Sequence, residues 1–256
     1  VKCVKEINII GQDITAYGMD IYREKSLARL LKELVKVCQN IEWIRLLYAF
    51  PAHVTDELIQ TMADEPRICK YIDMPLQHIS DHILKEQNRN ITTAETTHLM
   101  ARIRRAMPSA FMRTTFIVGL PGETKEDFDE LCLFNQASRF ERVGVFVYSK
   151  EEDTKAALMG GHVPEKTKKE RLDRLMRDQQ VISKEIQQAF VGRRLKVLIE
   201  EKEKDGQETY IGRSQYDAPD VDGVVYVRSS KALKIGQFVE VDITDAYEYD
   251  LAGVAA

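Results

Sequence analysis

Short apolar runs alternate with amphipathic stretches between residues 4 and 148. Five runs predict buried strands because each is short, largely apolar and bounded by turn residues: 4–10, 43–50, 71–74, 114–118 and 143–148. Between them, apolar residues recur at helical spacing after the capping residues Ser26, Thr55, Ser80, Thr92 and Thr124. Strand and helix alternate with short connections, which predicts a parallel α/β sheet covered by helices.

The pattern changes period in the last third of the chain. Gly-Gly-His-Val-Pro at 160–164 precedes a long helix with one apolar stripe, which we expect to pack against a neighbouring barrel or domain and to end at Gly192. Short strands at 195–200, 209–212, 224–227 and 238–243 then predict a five-stranded antiparallel barrel that starts near Arg193. The expected domains are residues 1–163, a connecting helix 164–191, and residues 192–256.

Composition narrows the class of protein. The 256 residues are 44% hydrophobic and 30% charged, as in ordinary globular proteins. Neither a membrane-spanning run nor a signal peptide is evident, so we expect a cytoplasmic protein. The four cysteines, Cys3, Cys38, Cys69 and Cys132, are widely separated in apolar or helical surroundings. They predict buried free thiols and no metal site.

The acidic excess lies at one end of the chain. Residues 192–256 carry 9 basic and 13 acidic side chains, and this difference equals the −4 net charge of the whole chain. Such a segment repels a polyanion such as RNA and attracts a basic protein.

A glycine turn follows the fourth predicted strand. Gly119 and Gly122 allow a sharp turn and a close approach of the backbone to a ligand, and Thr124 with Asp127 predicts a capping box for the next helix. Ligands of parallel α/β units bind at the carboxyl ends of the strands. A tight turn without any ligand explains the two glycines equally well.

Motifs at the strand ends carry a family resemblance. Gly-Gln-Asp at 11–13, Pro-Leu-Gln-His at 75–78 and Ile-Val-Gly-Leu-Pro-Gly-Glu-Thr at 117–124 resemble the methylthiotransferases of the radical S-adenosylmethionine (SAM) superfamily. Segments 210–214 and 217–223 resemble a TRAM domain. Tyr-Ala-Phe-Pro at 48–51, the Pro-Leu-Gln-His segment and the acidic terminal segment are similar to the branch that modifies a ribosomal protein. The resemblance implies an incomplete parallel (β/α) TIM-type barrel followed by a small OB-like TRAM barrel.

The resemblance also implies cofactors. Its members bind SAM and two 4Fe–4S clusters, one of them through a Cys-x3-Cys-x2-Cys loop. The four cysteines here do not have that spacing. The expectation is a fragment that takes up no stable cluster and is inactive alone. Gln87 departs from the family's usual methionine, with little expected effect.

The resemblance assigns roles to individual residues. Gln12 is expected near the amino group of SAM, and Arg89 near its carboxylate unless it forms a surface ion pair. Asp13 is a helix cap or a site residue, and His78 a structural residue or a ribose contact. The expected cofactor-binding residues are Gln12, Gln77, His78, Arg89, Ile117, Gly119, Pro121, Gly122 and Tyr148. Asp217, Asp220 and Asp222 are expected to dock the protein substrate.

The implied substrate is an aspartate of the basic ribosomal small-subunit protein twelve, methylthiolated at its β-carbon. We expect a monomer that does not bind a membrane and hardly binds tRNA. Alternatives are a tRNA methylthiotransferase, whose TRAM domain should be basic, and a non-catalytic module that binds SAM or the ribosomal protein. An aldolase-like barrel would need a lysine or metal ligands at the strand ends, and none is evident.

Overall fold

A five-stranded parallel sheet forms the first part of the molecule. The computed structural model describes residues 4–203 and 208–256. The strands lie in chain order and every neighbouring pair is parallel. They are β1 (Glu6–Ile9), β2 (Trp43–Leu46), β3 (Ile68–Asp73), β4 (Phe111–Val118) and β5 (Arg142–Val147). The prediction of an incomplete parallel (β/α) barrel is confirmed.

The connections are helices: α1 (Leu27–Val37), α2 (Asp56–Asp64), α3 (Asp81–Glu86), α4 (Thr93–Ala106), α5 (Lys125–Ser138), α6 (Lys155–Leu158) and α7 (Glu165–Gln188), with single 3-10 turns at Ile14–Ala16 and Pro51–His53. Thr55 caps α2, and both predicted capping boxes, Thr92–Glu95 and Thr124–Asp127, are formed. Ser26 and Ser80 occupy cap positions, but their hydroxyls donate to Glu24 and Asp127 instead. No helix of the described residues is long and apolar enough to cross a membrane.

Alternate side chains of each strand point to opposite faces of the sheet. One face packs against the helices and contains the larger apolar core, with Ile44, Ile72, Met112, Phe116 and Val118 among its strand residues. The long helix α7 contributes Leu175 to this core. The opposite face, here called the inner face, is the concave side of the incomplete barrel. It carries the charged side chains of Arg45, Asp73 and Arg113, whereas Lys70 of β3 points to the helix side and donates to the carbonyls of Met62 and Glu65.

The second part is a closed five-stranded barrel, here called the terminal barrel, with the order β10-β8-β7-β6-β9. Its strands are β6 (Arg194–Lys202), β7 (Thr209–Ser214), β8 (Val225–Arg228), β9 (Phe238–Ala246) and β10 (Leu251–Ala255). The prediction of a purely antiparallel barrel is wrong, because β10 closes the barrel by pairing parallel to β8. The α7 helix also ends at Gln188, before the predicted Gly192, whose positive φ of 83° instead turns the chain into β6.

An apolar contact joins the two parts at the amino ends of the sheet strands. Trp43, Cys69 and Phe111 of the inner face belong to the same buried cluster as residues of the terminal barrel. The Trp43 ring meets the Phe238 ring edge-on, with 4.7 Å between centroids. Tyr216 stacks on Phe111 at 4.5 Å. The terminal barrel therefore closes one end of the incomplete barrel.

Above this apolar contact lies a buried layer of ion pairs, here called the ionic layer. From the sheet, Arg45 pairs with Glu6 at 2.7 Å, and from the terminal barrel Arg213 reaches the same carboxylate at 2.7 Å. Arg142 of β5 donates to Asp217 at 2.6 Å. Arg45, Arg142 and Arg213 are each at most 5% exposed. Arg45 has its carboxylate within the sheet and Arg213 also pairs with Glu200 of its own barrel at 2.6 Å, whereas Arg142 is neutralised only when sheet and terminal barrel are together.

Two of the three predicted docking residues belong to this layer, and that prediction is wrong for them. Asp217 is 3% exposed and accepts hydrogen bonds from Arg142 and the Ser214 hydroxyl. The side chain of Asp222 is also 3% exposed and accepts the Tyr71 hydroxyl at 2.6 Å. Only Asp220 is exposed. Counting carboxylates along the sequence could not separate these roles, because the partners lie more than 70 residues away.

Asp217→Asn should destabilise the fold by about 3 kcal/mol, because it leaves the buried Arg142 without a counter-charge. Asp220→Asn removes the same charge from an exposed neighbour and should change the unfolding free energy by less than about 0.5 kcal/mol. Urea unfolding of both variants measures the difference. Equal effects of the two substitutions would show that the ionic layer does not stabilise the junction.

Candidate cofactor site

A cavity of about 720 Å³ opens at the carboxyl ends of the sheet strands. All five strands, or the segments that follow them, contribute lining residues. Gln12 and Asp13 follow β1, residues of the segment 48–53 follow β2, and Pro75, Gln77 and Arg89 come between β3 and β4. Arg113, Thr115 and Ile117 belong to β4, and Phe146 to β5. The β4 residues are the inner-face positions of that strand, spaced two apart. The cavity thus lies where parallel sheets bind ligands.

The structure brings four of the nine predicted cofactor residues together in this cavity: Gln12, Gln77, Arg89 and Ile117. The other five, His78, Gly119, Pro121, Gly122 and Tyr148, do not line it. The predicted residues therefore separate into a group at the cavity and a group in the packing around it.

Arg89 is a cation without a counter-charge. Its guanidinium lies over the Phe50 ring at 5.0 Å and donates to the Pro75 carbonyl at 2.8 Å, while its Nε has no partner. No carboxylate of the described residues lies within 4.0 Å of it, so it does not form the surface ion pair that the sequence left open. Burial lowers the pKa of Arg89, because the charged form is partly removed from water. A ligand anion in the cavity would supply the missing counter-charge of Arg89.

The floor of the cavity is the upper side of the ionic layer. Arg113 donates to Asp73 at 3.0 Å, and its Nε lies 3.4 Å from Asp222 of the terminal barrel. The other oxygen of Asp73 accepts the Tyr48 backbone N–H at 3.2 Å. Arg113 is therefore fully compensated, in contrast to Arg89.

Asp13 combines the two roles considered from the sequence. It caps the 3-10 turn by accepting the Thr15 N–H at 2.9 Å, and it pairs with Nδ1 of His53 at 2.7 Å. Burial opposes its ionisation, but the hydrogen bonds from Thr15 and His53 outweigh this and hold the pKa of Asp13 below its usual value. Asp13 and His53 both line the cavity, so its rim carries a fixed carboxylate and an imidazole.

The backbone at the cavity is strained at two non-glycine residues. Tyr48 and Gln77 have φ values of 62° and 67°. Gln77 is held there by backbone hydrogen bonds to Thr115 and from Ile117 in β4. Strain of this kind collects at functional sites, where the surrounding structure enforces it.

His78 is a core residue and not a ligand contact. It is 1% exposed, and its Nδ1 accepts the Ser80 N–H at 3.0 Å. Burial lowers the pKa of His78 to about 4, so the ring is neutral at pH 7. Its side chain points to the helix side of the sheet near Asp127, because the next residue in sequence after an inner-face position faces the other way.

The glycine turn is fastened to α7. Gly119 has a φ of 77°, and a Cβ there would lie 2.3 Å from Cγ of Lys168, so the absence of a side chain admits Lys168. Glu123 accepts the N–H groups of Gly119 and Leu120, and Arg171 of α7 donates to Glu123 at 2.6 Å. The predicted close approach is to a helix of the same chain.

Pro121, Gly122 and Tyr148 complete this packing. Pro121 is buried, and the Gly122 N–H donates to the Gly161 carbonyl at 3.0 Å. The ammonium of Lys168 donates to the Tyr148 carbonyl at 2.9 Å and lies 5.2 Å from its ring centroid. The turn after β4 and the end of β5 are thus held in one place by α7.

The described cysteines are separate from one another. Cys69 and Cys132 are buried, and burial raises their thiol pKa values to about 12 and about 11. Cys38 is half-buried, and Cys3 lies outside the described residues. Among residues 4–203 and 208–256, no three His, Cys, Asp or Glu side chains are grouped so that they could hold a metal ion.

Comparison with known proteins decides the family. A model of the radical SAM superfamily matches residues 1–134, where the first four strands of the sheet and most of its helices lie. The chain belongs to the radical SAM superfamily. A model of the TRAM domain matches residues 191–255, the terminal barrel.

Curated radical SAM relatives resemble the whole chain. The ribosomal protein uS12 methylthiotransferase RimO of Caldanaerobacter subterraneus subsp. tengcongensis is 50% identical over 98% of this chain, and that of Clostridioides difficile (strain 630) is 46% identical over 98%. The matches cover 57% and 56% of these relatives, so the chain spans little more than half their length. The radical SAM enzyme coproporphyrinogen III oxidase from Escherichia coli has a TM-score of 0.55 at 15% identity, covering 83% of this chain and 53% of that one. This last likeness shows the fold alone.

The neutral His78 predicts a specific pH dependence of stability. Its folded pKa of about 4 lies below its usual value of 6.5, so the unfolded state binds the proton first as the pH falls. The stabilisation is complete above about pH 6.5 and is lost between there and pH 4, by about 3 kcal/mol. Urea unfolding at intervals from pH 7 to pH 4.5 should show the loss in the unmodified chain.

The loss should be smaller in His78→Asn and unchanged in His98→Asn, which alters an exposed histidine of α4. Asp127, whose pKa is held near 2 by hydrogen bonds from Ser80 and Thr124 despite burial, contributes only at lower pH. Equal slopes in all three proteins between pH 7 and pH 4.5 would contradict the assignment.

Proposed function

We propose that this chain is the cofactor-binding and substrate-docking part of a radical SAM methylthiotransferase that acts on ribosomal protein uS12, as its RimO relatives are named. The main support for the proposal is the cavity at the strand ends, where Arg89 has no counter-charge and can bind an anion. The similarity to RimO proteins over 98% of the chain supports the substrate.

SAM has the chemistry that this cavity requires. Its methionine carboxylate would bind the guanidinium of Arg89, which keeps its stacking on Phe50. The side-chain oxygens of Gln12 and Gln77 can accept hydrogen bonds from the amino group and the ribose hydroxyls. Ile117 and Phe146 provide apolar walls for the adenine. Asp13 adds a negative charge suited to the amino group.

The reaction needs this cofactor because the β-carbon of aspartate bears an unactivated C–H bond. No protein base can remove a proton from this carbon. Together with a reduced 4Fe–4S cluster, SAM supplies a carbon radical that can break the C–H bond instead. The residues of this chain would bind and orient SAM and the substrate aspartate, and exclude water from them. The two clusters of the family are part of the proposal for the whole protein.

The terminal barrel would attract the substrate through its exposed acids. Asp217 and Asp222 are occupied in the ionic layer, but Asp220 and Asp245 are exposed. Exposed charges steer association and are screened beyond about 10 Å at 0.1 M salt. A ribosomal protein is basic because it binds RNA phosphates, so its field is opposite to that of the barrel. The tRNA-modifying branch would require a basic barrel surface.

Ribosomal protein uS12 should bind this chain more tightly than tRNA does, and increasing the salt from 50 to 200 mM should weaken the binding several-fold. Paired titrations by fluorescence anisotropy, with each partner at each salt concentration, measure this. Replacing Asp220 and Asp245 together by Asn should slow association more than it speeds dissociation. If tRNA bound more tightly than uS12, the chain would instead be assigned to the RNA-modifying branch of the family.

A further inference from the structure

The outer edge of β5 carries free backbone groups. β5 is hydrogen-bonded to β4 only, and no other described strand lies beside it. The Tyr148 N–H donates to Val118 of β4 at 2.9 Å, and alternate residues of a strand direct their backbone groups to opposite sides. The N–H groups of Val143, Val145 and Val147 therefore face outward, and no described residue accepts them.

The side chains of this edge lack the usual protection against pairing, although α7 packs against β5 and its Met176 lines the cavity beside the strand. Natural edge strands carry lysines, prolines or bulges that prevent another strand from adding to them. β5 reads Arg-Val-Gly-Val-Phe-Val, and its register with β4 is continuous. Its one charged side chain, Arg142, is buried in the ionic layer. Phe146 is 60% exposed, so the strand presents an apolar surface beside its free backbone.

Two cavities open along the same edge. The 720 Å³ cofactor cavity includes Phe146, and a second cavity of about 360 Å³ includes Val143 and Gly144 together with Tyr249 of the terminal barrel. Arg113 lines both. Gly144 lies between them on the inner face, where even a Cβ would already meet Phe146 at 3.5 Å. A strand added to β5 would run past both cavities.

Both ends of the edge are acidic. Glu151, Glu152 and Asp153 are exposed just beyond the carboxyl end of β5, where they outnumber the exposed Lys150 and Lys155. Near its amino end, Asp250 lines the second cavity and Asp220 is exposed on the neighbouring turn. An extended segment that follows the edge would therefore meet negative charge at each end, which favours a basic peptide.

We propose that an extended segment of the basic protein substrate adds to the free edge of β5 as a further strand of the sheet. This mode of docking rests on the proposed function and deepens it. Backbone hydrogen bonds to Val143, Val145 and Val147 hold the segment and do not depend on its amino-acid sequence. Since side chains alternate along a strand, every second side chain of the segment points to the inner face, and one of them reaches the cofactor cavity.

Hydrogen–deuterium exchange of this chain with and without ribosomal protein uS12 tests the proposal. The amides of Val143, Val145 and Val147 should exchange freely in the chain alone and become protected in the complex. V145P removes one outward N–H at an edge position that tolerates proline. It should weaken uS12 binding about tenfold, while V145A, which loses the side chain but keeps the N–H, should bind within about twofold of the unmodified chain.

Three outcomes would overturn this mode of docking. Binding of uS12 without protection of the three amides would place the contact elsewhere and leave the proposed function intact. Equal binding by V145P and V145A would exclude the backbone bond, and if V145P does not fold, the exchange result on the unmodified chain decides. Protection of the amides before uS12 is added would show that a second copy or another segment covers the edge. Absence of any uS12 binding would instead remove the proposed function together with its docking mode.

Discussion

The structure depends on the ionic layer between the sheet and the terminal barrel. Three arginines, Arg45, Arg142 and Arg213, are almost fully buried, and each is neutralised by a carboxylate of the layer. A buried charge without its partner is strongly destabilising, whereas a complete pair is tolerated. Arg142 finds its carboxylate in the terminal barrel, and Arg213 bridges Glu6 of the sheet and Glu200 of its own barrel, so these ion pairs favour the observed placement of the two parts.

That placement also shapes the cofactor cavity. The terminal barrel closes the amino end of the inner face, and Asp222 at 3.4 Å from Arg113 links it to the cavity floor. Arg113 is thereby neutralised, while Arg89, between α3 and α4, has no carboxylate within 4.0 Å among the described residues. The difference between these two arginines gives the cavity one free positive charge. The ionic layer thus leaves Arg89 as the uncompensated cation of the cavity, which is where the proposed ligand anion would bind.

The parallel sheet and the capping boxes were predictable because they rest on the alternation of strand and helix patterns and on residues three apart, such as Thr92 with Glu95 and Thr124 with Asp127. The parallel closure of the terminal barrel was not, since pairing of β10 with β8 leaves no local pattern. Within the site, Gln12, Gln77, Arg89 and Ile117 were found through family motifs. Arg113 and Thr115 could have been found from the two-residue period that leads to Ile117. Phe146 could have been found in the same way, as the inner-face position of β5 opposite Ile117, whereas His53 follows β2 without such a pattern. The burial of His78, Asp217 and Asp222 depends on distant partners.

The most direct test of this account is the binding of S-adenosylhomocysteine to the chain, because this ligand has the carboxylate of SAM and needs no iron–sulfur cluster. Isothermal titration should show binding to the unmodified chain. Arg89→Met, which keeps the apolar stem beside Phe50, should weaken it at least tenfold, the loss expected for a charge-assisted hydrogen bond. Arg105→Met, in which an exposed arginine of α4 is changed in the same way, should bind as the unmodified chain does. Equal affinity of the Arg89 and Arg105 variants would contradict the account, since the one uncompensated cation of the cavity would then not hold the ligand.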